Sequence, residues 1–212
     1  MKSLVLLVAD KDIEFTIKGV LTRHQALGIR QFTHQQDFDC FAHPEHDPGC
    51  LRTGDSFLRQ FTNLYEHALV LFDREGCGSS QSSREAIEQE VEGRLSISGW
   101  GDRATAIVLD PEIEIWVWSD SPQVDEVLGW KEQQPGLRNW LENQNFLLSG
   151  QIKPERPKEA MQAALRQSGK SRSSALYYQL AEKVSLNRCT DPAFIKLKST
   201  LQRWFAIHSK TT

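Results

Sequence analysis

The chain has 212 residues, 39% of them hydrophobic and 25% charged, which suits one substantial core and excludes a disordered chain. No apolar run approaches the roughly 20 residues that span a bilayer, so no membrane segment is expected, and the four cysteines are too few and too scattered for a disulfide scaffold, which points to reduced thiols in a cytoplasm. The net charge of −3 conceals a split: residues 1–150 carry 13 Lys and Arg against 24 Asp and Glu, whereas residues 151–212 carry 12 against 4. An acidic front and a basic tail imply either internal complementarity or a basic surface for an anionic partner.

Residues 3–9, SLVLLVA, form a continuous apolar run, as expected of a central parallel strand covered on both faces. Asp10, Lys11 and Asp12 follow at once, with no small-residue cleavage site, so the run reads as a strand and not as a signal peptide. Asp12 is a candidate N-cap for a helix with Ile13, Ile17, Val20 and Leu21 on one face, ending before Gly28. Residues 29–42 hold a less regular strand region. Residues 43–55 have two Pro and two Gly among polar residues and read as a loop. Phe57, Leu58, Phe61, Leu64 and Tyr65 suggest a helix over 56–65.

HALVLFD at 67–73 is a second buried strand, followed by a loop over 74–82 and a helix over 83–96 with Ile87, Val91 and Leu95 in four-residue steps. ATAIVL at 104–109 is a third. It ends at Asp110-Pro111, and a short helix is expected to start with Pro111 at its first position. Residues 120–150 read as an irregular helical connector. Helix-period segments at 157–167, 172–185 and 191–208 complete the chain. The strand–helix alternation predicts an α/β fold with a mostly parallel sheet, right-handed crossovers and flanking helices. We expect an α/β domain over 1–150 and a basic helical segment over 151–212 packed on it.

In an open parallel sheet, ligands bind outside the carboxyl ends of the strands. Three strands end in acids here: Asp10 and Asp12, Asp73 and Glu75, and Asp110, Glu112 and Glu114. Converging carboxylates suit Mg²⁺ or Mn²⁺, which can clamp a phosphodiester and activate a water. The D-x-E spacing of Asp73 and Glu75 lets both acids point the same way as the chain leaves its strand. The plainer reading is that these acids begin loops and cap helices.

Asp73-Arg74-Glu75-Gly76 resembles the paired acidic motif of the TOPRIM family of topoisomerases, primases and related nucleases. PEIEIWVWSD at 111–120 and CTDPAFIKLKSTLQRW at 189–204 are similar to segments of small stand-alone TOPRIM-like proteins of bacterial anti-phage loci, including methylation-associated defence systems. The resemblance implies a TOPRIM-like α/β fold, a Mg²⁺-dependent nuclease with Asp10, Asp12, Asp73 and Glu75 as catalytic acids, and metal ligands drawn from Asp10, Asp73, Glu75, Glu112 and Glu114. It implies other subunits of a defence complex as partners, and DNA or RNA as substrate. One departure stands out: Ala9 occupies the position of the family Glu, and Asp10 that of the following Gly. Either Asp10 or Asp12 replaces the Glu with a shorter reach, or the site has lost its acid/base and the chain is a scaffold or regulatory subunit.

Other features are weaker. Lys158, Arg166, Lys170 and Arg172 form a basic stretch able to contact phosphates, although a solvated helix face explains such charges equally well. His43, His46 and Cys50 lack a second ligand pair for zinc. The loop GCGSS at 76–80 lacks the P-loop Lys and its spacing. Trp116 and Trp118, two apart on a short helix, are expected to leave one ring exposed to a partner.

Overall fold

The computed structural model describes residues 1–79, 81–118 and 121–207. Four strands, β1 (Lys2–Val8), β2 (Phe38–Ala42), β3 (Tyr65–Asp73) and β4 (Ala104–Leu109), form one parallel sheet in the order β2-β1-β3-β4. The fold is α/β, as the alternation predicts. Leu4 to Val8, Ala68 to Phe72 and Ala106 to Leu109 are fully buried, because helices cover both sides of the sheet and leave no solvated face for polar side chains. The register pairs Val8 with Leu71 and Asp73 with Leu109, so the carboxyl ends of β1, β3 and β4 lie along one edge.

α1 (Lys11–Thr22) follows β1, and a single turn, α2 (His24–Leu27), ends at Gly28 in the left-handed region. Asp10, not Asp12, is the N-cap of α1: its carboxylate accepts the Ile13 N–H at 2.9 Å. The second strand region narrows to β2. The expected loop over 43–55 is instead mostly helix, α3 (His46–Leu58). Pro48 and Gly49 sit in its first turn, where the first backbone N–H groups have no helical acceptor, so the N–H that proline lacks is not missed. The expected helix over 56–65 is correspondingly cut short. After Leu58 comes one 3₁₀ turn (Arg59–Phe61), and Tyr65 already pairs with Lys2 in the sheet.

α4 (Arg84–Leu95), capped by Ser83, packs with α3 and lies on β4. Its carboxylates serve the sheet edge directly. Glu92 accepts the Ala106 N–H and Glu88 the Val108 N–H, which satisfies the outward-facing donors of edge strand β4. Arg84 and Lys196 balance the two acids.

The short helix expected after β4 is α5 (Glu114–Val117), and two further short helices, α6 (Pro122–Val127) and α7 (Leu137–Asn143), lie in the connector. Pro111 lies before α5 and not at its first position. Contrary to the expectation for Trp116 and Trp118, both rings are buried. Trp118 has left the helix with extended ψ, which turns its ring inward as well. α8 (Pro157–Ser168), α9 (Ser174–Lys183) and α10 (Pro192–Phe205) match the three tail segments; His208, in the last of these, is outside the described residues.

The tail helices pack on the front of the chain. α9 lies along α1, where Gly19 admits it: a Cβ there would stand 2.8 Å from the Tyr178 carbonyl oxygen and 2.9 Å from the Ala181 Cβ. Arg23 donates to the Ala181 and Val184 carbonyls at the end of α9. α10 packs on β4 and α8 on α5. Among the described residues no helix is long and apolar enough to cross a membrane.

Candidate metal centre at the strand ends

The chain turns from β1 to β2 on one side and later to β3 on the other, so β1 and β3 flank the switch point where open α/β sheets leave a crevice. Asp73, the last residue of β3, stands there. Its Oδ1 accepts the Ile113 N–H at 2.9 Å. Its own N–H donates to Asp47 Oδ1 at 2.8 Å, which ties β3 to the first turn of α3.

Asp73, Glu112 and Glu114 each offer a carboxylate oxygen within 4.8 Å of the others. They are 6%, 4% and 1% exposed, so three acids share a nearly dry space. Burial, the neighbouring Asp47, Glu114 and Asp10, and too little relief from Lys158 hold the Asp73 carboxyl well above the usual range. Burial also raises Asp47, as does Asp10, against the Asp73 N–H bond. Glu112 is raised by burial and by Glu114, against the pull of Lys158.

Two cations from the tail enter this cluster. The Lys158 N–H donates to Glu112 Oε1 at 3.0 Å and its ammonium to Oε2 at 3.1 Å. Burial works against charge on Lys158, but Glu112, Glu114 and Asp73 outweigh it and raise its pKa. Arg172 reaches Asp12 at 2.6 Å and Glu114 Oε1 at 3.3 Å, and its Nε donates to the Tyr177 hydroxyl. Tyr177 in turn donates to Glu114 Oε1. Glu114 Oε2 is buried with no hydrogen-bond partner among the described residues.

The structure therefore sorts the candidate residues. Asp73, Glu112 and Glu114 come together. Asp10 caps α1, near enough to influence Asp73 and Asp47. Asp12 is held by Arg172 and Ser174. Glu75 is exposed and is not part of the triad: the strand ends at Asp73, and the following turn, with the Glu75 N–H on Pro111 O, carries its side chain outward. Of the basic candidates, Lys158 and Arg172 face the acids, Lys170 donates to the Val127 carbonyl, and Arg166 is exposed.

Asp47 escapes the sequence reading because its helix looks like a loop; an acid before Pro48 in a first helical turn was the available signal. His43 meets the Glu45 N–H and the Thr53 hydroxyl, His46 meets the Ala9 carbonyl, and Cys50 is in the core, so these three residues face separate partners. Cys77 is also buried, which pushes its thiol up; Ser80 in the same loop and Ser119 and Asp120 of the 111–120 segment lie outside the described residues.

Comparison with protein-family models, with curated proteins and with solved structures gives no match to the chain.

Proposed function

We propose that this chain is a TOPRIM-like component of bacterial anti-phage defence whose acidic centre takes Mg²⁺ or Mn²⁺ and supports cleavage of a nucleic-acid phosphodiester. The observation that carries the reading is the buried Glu114 Oε2, which has no partner among the described residues, within a triad of carboxylates at the strand ends. Leaving a buried carboxylate oxygen without a partner is costly, and a bound cation would supply one. The donor set is all hard oxygen, which fits these ions. The defence setting rests on the likeness of residues 111–120 and 189–204 described above.

Asp73, Glu112 and Glu114 would hold the ion, with Asp10 and Asp47 on the crevice side. A bound Mg²⁺ would supply charge stabilisation at the phosphate and a more acidic water. The chain's own groups set the frame. The Ile113 N–H fixes Asp73, and Tyr177 with Arg172 fixes Glu114 through Oε1. Asp47, with its carboxyl raised, is the group suited to exchange a proton with a nucleophile at the crevice.

The test is incubation of the purified chain with supercoiled DNA and with single-stranded RNA, in Mg²⁺, Mn²⁺ or chelator. Metal-dependent cutting that disappears in Asp73→Ala and Glu114→Gln, with the fold retained, is the expected result. Absence of cutting together with absence of ion binding by calorimetry overturns the reading.

A second reading is favoured by Lys158 and Arg172, which already lend positive charge to the acids. In it the centre is structural and the chain serves as a scaffold or regulatory subunit for protein partners. Phage protection that survives Asp73→Ala at normal protein abundance would favour it over the enzyme.

A further inference from the structure

Behind the acidic centre, α1, α5, α9 and the segments at 152–153 and 184–190 enclose a cavity of about 250 Å³. Its walls are mainly apolar: Val20, Trp116, Trp118, Leu180, Val184 and Leu186 line it. The aromatic polar atoms are engaged elsewhere. Trp116 Nε1 donates to Asp191, Trp118 Nε1 to the Pro157 carbonyl, and the Tyr177 hydroxyl to Glu114, so these rings bring mainly hydrocarbon to the cavity.

The charged residues lining it are Lys153 and Arg188, and no carboxylate among the described residues joins them. Lys153 is half-buried and its charge bears on the Cys189 thiol; Arg188 is exposed. Neither makes a hydrogen bond or an ion pair among the described residues. Elsewhere in this tail, Lys158, Arg172, Lys183 and Lys196 have acidic partners, whereas Arg166, Lys170 and Lys198 are without one among the described residues and do not line the cavity. Cations with no partner among the described residues, set on an apolar chamber, are the complement of a molecule with a hydrocarbon body and an anionic head. Water is a poor occupant, because the walls offer few of the polar partners it requires.

We propose that this cavity binds a small amphipathic anion, a straight-chain carboxylate being the simplest, with its tail among Trp116, Trp118 and Leu180 and its head at Lys153 and Arg188. The inference does not depend on metal binding or on nuclease activity.

The test is calorimetric titration of the full chain with decanoate, 1-decanol and decyltrimethylammonium, each below its micelle-forming concentration. Decanoate is expected to bind one per chain, about tenfold more tightly than the alcohol, with the cationic amphiphile weakest. The Lys153→Ala/Arg188→Ala double variant should bind decanoate and decanol equally. Ser185→Trp, which places an indole in the chamber, should abolish binding of both. Decanoate that binds no better than decanol, that keeps its advantage in the double variant, or that fails to bind overturns the proposal. Circular-dichroism melts of the variants verify that each is folded.

Discussion

Lys158 holds Glu112 at two points: its backbone N–H donates to Oε1 at 3.0 Å and its ammonium to Oε2 at 3.1 Å. Both contacts come from the first turn of α8, so a residue of the basic tail is fixed to a strand-end acid by main chain and side chain together.

If that ammonium occupies the electrostatic place of a metal ion, removing it should help the ion. Lys158→Ala is expected to tighten Mn²⁺ binding by roughly tenfold, about 1.4 kcal/mol. It should also lower the melting temperature in chelator, because Glu112 keeps its burial and loses a counter-charge. Calorimetric titration with Mn²⁺ reads the first effect; unchanged or weaker affinity would count against direct competition.

The raised Asp73 carboxyl fixes the sign of a pH effect. A carboxyl whose folded pKa exceeds its unfolded value binds its proton more tightly in the folded state. Its contribution is most favourable below the unfolded value, near 4, and is lost as pH rises toward the folded value. In chelator, Asp73→Asn should therefore be more stable than the parent at pH 8, with the difference shrinking toward pH 4. The amide oxygen can still accept the Ile113 N–H. Denaturant melts at both pH values check this, and greater stability of the parent at pH 8 would refute it.

Edge strand β4 gives a third prediction. Glu88 accepts the Val108 N–H at 3.0 Å while pairing with Arg84 and Lys196. Glu88→Ala leaves a buried donor unsatisfied and should cost about 2–3 kcal/mol. Glu88→Gln keeps an acceptor and should cost less. Equal losses would mean that ion pairing, and not the edge hydrogen bond, dominates.

Gly19 gives a fourth. A methyl there meets the Tyr178 carbonyl oxygen and the Ala181 Cβ at less than 3 Å, so α9 must move away from α1. In spite of the better helix propensity of alanine, Gly19→Ala should destabilise the chain by about 1–2 kcal/mol. A stabilised variant would show that α9 shifts at little cost.

β1, β3 and β4 are legible in the sequence because each carries a long apolar run closed by an acid, and burial on both faces demands that composition; β2, with Asp39 inside it and only partial burial, shows as no more than an irregular strand region. The tail helices are legible from periodicity and from Asp191-Pro192 at the last start. α3 is hidden because Pro48 and Gly49 signal a loop unless they are placed in a first turn. Glu112 and Glu114 are visible as strand-end acids, whereas Asp47 is missed along with its helix. Glu75 illustrates the limit of a spacing rule: one turn residue after the strand decides which way the second acid points. The inward aim of Lys158 and Arg172 is a long-range pairing, and a local window sees only a basic stretch.

The acids and their counter-charges also lie far apart in time. Translation runs from the N-terminus, and β4 ends at Leu109, so the whole sheet is made before Lys158, Arg172 or Lys196 is added. A nascent chain at that stage holds Asp73 without any of the tail cations, and Glu88 with Arg84 alone. The counter-charges of these acids therefore come last, with α8, α9 and α10.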